Sequence, residues 1–190
     1  MLPLFTYNGL LRPAMMLAGM GLAFFVLCRT RRRPCFRKLL LLACLGYACF
    51  LLYATFLSRS VAQTYSYRLE LMGSARQAFS VEGGLWPLIR GDFAAIRLDD
   101  PQSLEGILIN LLLMAPVGYL FPMAAAARGK AVRCWQVIFC GAALSAAVEI
   151  LQLVTRLGML DVDDWVFNTA GTAMGYFLFR KLFPRADRAS

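Results

Sequence analysis

Apolar residues along this chain gather into five blocks of near-bilayer length: Leu10 to Cys28, Leu39 to Leu57, Leu104 to Met123, Val132 to Thr155 and Trp165 to Phe183. Within each block the apolar positions run on instead of recurring at amphipathic intervals, as expected of helices surrounded by hydrocarbon. At about 1.5 Å per residue, each block is long enough to cross a hydrocarbon core of about 30 Å. Arg12 and Pro13 interrupt the first, which is the weakest of the five. Its basic cluster, RTRRRPCFRK, follows the apolar run instead of preceding it as in a cleaved signal, so the block reads as a span with a stop-transfer flank. The pattern predicts an all-α polytopic membrane helix bundle of about five transmembrane helices. Residues 1–190 are read as one domain, with a long outer loop between spans two and three.

That loop, from about Ser58 to Ser103, exceeds a hairpin turn. In YSYRLELMGSARQAF, Tyr67, Leu71, Ser74 and Ala78 recur at helical spacing and predict a helix lying at the outer headgroup level. Gly83 and Gly84 punctuate the loop, and Trp86 and Pro87 predict a turn at a membrane boundary.

Composition agrees with the pattern: 59% of residues are hydrophobic and 16% charged, which places the chain among membrane proteins. Charge then orients it. The net charge of +9 is concentrated in alternate connections: Arg29, Arg31, Arg32, Arg33, Arg37 and Lys38, then Arg128, Lys130 and Arg133, then Arg180, Lys181, Arg185 and Arg188. By the positive-inside rule these face the cytoplasm, leaving the N-terminus outside and the C-terminus inside. Such clusters meet anionic lipid headgroups, and the interrupted distribution excludes a nucleic-acid partner. Most acids fall on the opposite side, as Glu70, Glu82, Asp92, Asp99, Asp100, Glu105, Asp161, Asp163 and Asp164.

The six cysteines lie in spans or on the basic side and do not read as a disulfide framework. The chain has no histidine, so the commonest general base and zinc ligand is missing. Any chemistry rests on carboxylates, amides, arginines or hydroxyls.

Such groups converge by depth. Asn110 in span three, Glu149 in span four and Asn168 in span five all fall one to two turns below the outer membrane edge. Glu149, Gln152 and Arg156 share the spacing of one helical face leading to the outer surface. On span five, Asp164, Asn168, Gly171 and Gly175 form a second stripe, whose GxxxG pair permits close backbone approach within or between monomers. An ionisable residue inside a membrane points to function, so Glu149 is a candidate acid or base together with Asp161 and Asp164. Asn110, Glu149, Gln152, Arg156, Asp161, Asp164 and Asn168 are the candidate binding residues. The plainer alternative is that the amides join helices and the aspartates cap span five. Asp161 and Asp164 suit a hard divalent cation, but the pair specifies no metal and the chain names no cofactor.

These residues resemble the VanZ family. NLLLMAPVGYLFP is similar to its central asparagine, proline and glycine motif. Glu149, Gln152, Arg156, Asp161, Asp164, Asn168, Gly171 and Gly175 follow its pattern through the last two spans, and YSYRLELMGSARQAF is similar to its stretch after an early span. The clear resemblance runs from Leu108 to Tyr176. It implies a multi-pass protein of the bacterial cell membrane, of the group named for resistance to teicoplanin-type glycopeptide antibiotics.

Three functions are therefore expected, in decreasing order. The first is an outward polar pocket that engages a lipid-linked cell-wall precursor or envelope polymer, with Arg156 on its anionic group. The second is a carboxylate-dependent enzyme acting on a lipid or cell-wall headgroup. The third, a small-solute transporter, would place polar residues through the full depth of the membrane, whereas here they crowd the outer half.

Overall fold

The computed structural model describes residues 11–57, 67–81, 90 and 96–183. Gly83 and Gly84, expected to punctuate the loop, and Trp86 and Pro87, expected in a boundary turn, lie outside the described residues, as does Ser58. Five long helices account for the five apolar blocks: α1 (Leu11–Thr30), α2 (Phe36–Leu52), then, past a short helix α3 (Gly73–Ala78), α4 (Pro101–Ala126), α5 (Cys134–Thr155) and α6 (Val162–Leu182). A π-helical segment, Tyr53–Leu57, prolongs α2. Pro13 lies in the first described turn of α1 and does not stop it.

Among the described residues, four helical stretches are long and apolar enough to cross a membrane: Pro13–Thr30, Phe36–Leu57, Pro101–Ala126 and Cys134–Thr155. The fifth helix, α6, has 21 residues but is less apolar, because its polar and small positions face protein. Asn168, Gly171, Thr172 and Gly175 are buried in the bundle. By contrast α1, α2 and α5 expose Leu22, Phe25, Leu41, Leu42, Phe139 and Ile150 on faces suited to lipid.

The pairing of α4 with α6 organises the fold. A Cβ on Gly171 would strike the Leu111 carbonyl, one on Gly175 the Ala115 carbonyl, and one on Gly118 the Thr172 carbonyl. The two helices thus run parallel with backbone against backbone, as small residues allow in membranes. The GxxxG pair packs within the monomer. Helix α5 runs antiparallel to α6, where Gly141 leaves room for the Thr172 side chain.

Pro116 and Pro122 sit inside α4, which continues through both. The Leu113 carbonyl, beside the one Pro116 leaves without a helical donor, accepts the Tyr47 hydroxyl of α2 at 2.9 Å. At the basic end Phe24, Leu27, Leu40, Tyr119, Leu120, Met123, Phe179 and Phe183 form the main apolar core. There Arg31 lies 4.9 Å over the Phe183 ring, tying the α1–α2 connection to the end of α6. The six cysteines are unpaired.

The outer segment departs from the expected interfacial helix. Tyr67–Arg68 is a two-residue strand, β1; only Gly73–Ala78 is helical; and Phe79–Val81 is a strand, β2. β2 pairs antiparallel with β3 (Ile96–Leu98), and β1 pairs parallel with β4 (Leu160–Asp161), matching Arg68 to Asp161. The cause of the break is local. Met72 adopts φ 61°, and the buried Asp163 carboxylate accepts the backbone N–H groups of Met72 and Ser74. Asp163 therefore anchors α3 from a different helix.

Candidate functional site

The start of α4 forms one wall of a polar recess. Asp100 caps the helix, its carboxylate accepting from the Gln102 N–H at 3.0 Å and the Ser103 N–H at 3.1 Å, with Pro101 in the first turn. The Ser103 hydroxyl donates to the same carboxylate at 2.6 Å and, with the Gln102 N–H next, holds the Asp100 pKa below its usual value. Two turns along, Asn110 donates to the carboxylate of Asp164.

The opposite wall is the start of α6. Asp161 caps it by accepting the Asp163 N–H at 2.9 Å, and its other oxygen lies 3.6 Å from the Arg68 guanidinium. Burial pushes the Asp161 pKa up; the Asp163 N–H bond and Arg68 pull it partly back. Segment 67–81 closes the recess from outside, bringing Arg68, Ser74 and Gln77 to its rim. The cavity measures about 290 Å³ and is lined by these residues with Asp100, Ser103, Asn110, Asp161 and Asp164.

Behind it stands a second, buried layer. Glu149 accepts the Asp161 N–H at 3.1 Å, Gln152 donates to the Thr55 carbonyl at 2.9 Å, and the Asn168 amide donates to the Ser145 hydroxyl at 3.0 Å. All three are buried, and the Asn168 side-chain oxygen has no hydrogen-bond partner among the described residues.

The seven candidate residues consequently separate. Asn110, Asp161 and Asp164 line the recess; Glu149 supports it one hydrogen bond back from the Asp161 backbone; Gln152 and Asn168 join helices. Arg156 departs from the face it was expected to share, because α5 ends at Thr155 and Arg156, with φ 57°, turns the chain and is exposed. Among the described residues lining the recess, the cation is Arg68.

Arg68, Asp100 and Ser103 were not among the residues singled out for a site. The run Asp100-Pro101-Gln102-Ser103 carries a helix-start signal that reveals Asp100 as a cap. Nothing in the spacing around Arg68 announces its meeting with Asp161.

Three carboxylates, one guanidinium, the amides of Gln77, Gln102 and Asn110 and the hydroxyls of Ser74 and Ser103 make a net acidic, hydrogen-bonding recess. It can hold amino or hydroxyl groups on the carboxylates and one anionic group on Arg68. Among the described residues, no three Cys, Asp or Glu side chains are grouped to hold a metal ion.

Apolar helices of spanning length that enclose a polar recess at one end define a multi-pass helical membrane protein. More narrowly, the VanZ/LLP1 family model matches residues 39–183, from α2 through the end of α6, and the chain belongs to that family. No curated protein and no solved structure matches it.

Proposed function

We propose that this VanZ/LLP1 protein sits in the bacterial cell membrane with its polar recess facing outward, and that the recess engages a lipid-linked or cell-wall component. By that engagement it contributes to resistance against teicoplanin-type glycopeptides. One observation carries the reading: Asn110, Asp161, Asp164 and Arg68 arrive from different elements at a single open cavity at a helix-bundle end. The gathering of Arg37 and Arg128 at the other end supports the orientation, because positive residues favour the cytoplasmic face.

In this reading Arg68 meets a carboxylate or phosphate of the ligand, while Asp164 and Asn110 hold amino or hydroxyl groups. The test is the teicoplanin inhibitory concentration of a susceptible Gram-positive host producing wild type, Asp164→Asn or Arg68→Gln at matched membrane levels. Wild type raises it and both variants abolish the rise. An unchanged concentration with properly inserted wild type overturns the resistance role.

A second reading, acid catalysis on a bound headgroup, draws on the raised pKa of Asp161 beside Asp164. It requires Asp161→Asn to bind the ligand and leave it unconverted. Full conversion by that variant excludes it.

A further inference from the structure

At the end of the bundle away from the polar recess, the first turns of α2 and the last turn of α4 flank a groove of about 500 Å³. Its floor is apolar, formed by Leu40, Leu41, Cys44 and Ala124. Arg37 on one side and Arg128 on the other stand over it. Both arginines are exposed, and among the described residues no ion pair is seen between either of them and an acid; the pairs Arg68–Asp161 and Arg76–Glu70 lie at the recess end. Helix α2 also starts with no acid in its first turn and no side-chain cap on its N-terminal N–H groups, which adds partial positive charge to the same spot.

We infer that the groove binds one anionic phospholipid, its phosphate held between Arg37 and Arg128 and an acyl chain laid along the floor. The two halves of the site match the two halves of such a lipid. Guanidinium groups bind phosphate through paired N–H donors, and basic clefts between membrane helices select anionic headgroups. The floor continues onto the lipid side: Leu41 is 58% exposed, on a helix whose outer face is apolar. A free phosphate ion would use the arginines and leave the floor unused. The site is independent of the outer recess and stands or falls separately.

The experiment is native mass spectrometry of the full chain in detergent with phosphatidylglycerol and phosphatidylcholine supplied together. Wild type is expected to retain one phosphatidylglycerol in preference to phosphatidylcholine. The Arg37→Gln/Arg128→Gln double variant is expected to bind it about thirtyfold more weakly. Lys130→Gln, which removes a nearby charge that does not line the groove, is expected to bind as wild type. Cys44→Trp fills the floor without altering charge and serves as the second variant; it too is expected to lose the lipid. Thermal melting confirms that each variant is folded. Equal retention by the double variant overturns the inference, as does an equal loss in Lys130→Gln, which would make the attraction a bulk effect of charge. Equal retention of phosphatidylcholine overturns the role of the arginines. Retention by Cys44→Trp, or displacement of the lipid by inorganic phosphate, overturns the acyl-chain half in favour of a simple anion site.

Discussion

Asn110 on α4 donates its side-chain N–H to the carboxylate of Asp164 on α6, so one amide–carboxylate bond ties two membrane helices together on the wall of the polar recess. A hydrogen bond to a charged group is worth about 1.5–3 kcal/mol. Asn110→Ala is expected to lower stability by about 2 kcal/mol. Asp164→Asn, which keeps an acceptor oxygen, should cost less. A double-mutant cycle with Asp164→Ala, read by unfolding in detergent, is expected to show coupling of about 1 kcal/mol or more; additive losses would mean that the bond contributes nothing.

The glycine seam predicts a contrast between positions of the same residue type. Gly171→Ala and Gly175→Ala put a methyl group into a facing backbone carbonyl, and overpacking of this kind costs about 1–3 kcal/mol or more. Gly46, in α2, has nothing within 4 Å of where a Cβ would lie. Gly46→Ala is expected to melt at or above the wild-type temperature, since alanine is the better helix former by about 1 kcal/mol. Equal melting of all three variants would show that α4 and α6 are not in backbone contact.

Asp163 is expected to control the outer segment. With both carboxylate oxygens accepting from the Met72 and Ser74 N–H groups, Asp163→Ala leaves those donors unpaired and releases α3. Limited proteolysis between residues 67 and 81 should accelerate in the variant, while the spanning helices stay protected. Unchanged cleavage would show that the β1–β4 and β2–β3 pairings hold the segment without Asp163.

The two caps of the recess respond to pH with opposite sign. Asp161 has its pKa raised by burial, so the folded state keeps a proton that the unfolded chain releases. Its contribution is fully present below the ordinary aspartate value and is lost as pH rises through the raised one. Asp100 has its pKa lowered by Ser103 and Gln102, so its contribution is present above the ordinary value and is lost as pH falls through the lowered one. Asp161→Asn keeps a capping oxygen and is expected to flatten the upper of these two slopes in a pH series of melting temperatures, whereas Asp161→Ala costs about 1 kcal/mol throughout. An unaltered slope in Asp161→Asn would place the titration elsewhere.

The spanning helices were legible because block length and high apolar content are properties of contiguous sequence. The outer segment was not: a carboxylate contributed by Asp163, distant in the chain, and the left-handed Met72 override a helical spacing that was ragged to begin with. Within the site, Asn110, Asp161 and Asp164 could be foreseen from depth and helix-start position. Arg68 could not, since a pairing of two-residue strands carries no periodicity. The shared face of Glu149, Gln152 and Arg156 failed at its end because α5 stops at Thr155 without the glycine that usually marks such a stop.

The bond between Asn110 and Asp164 spans a gap that neither residue sets. That gap is gauged lower down the shaft, where Gly171 and Gly175 let α6 rest on the carbonyls of α4. The mouth of the recess therefore behaves like the jaws of a calliper clamped below its tips. One methyl group at the clamp is expected to open the jaws, so the width of the recess is set by residues that do not line it.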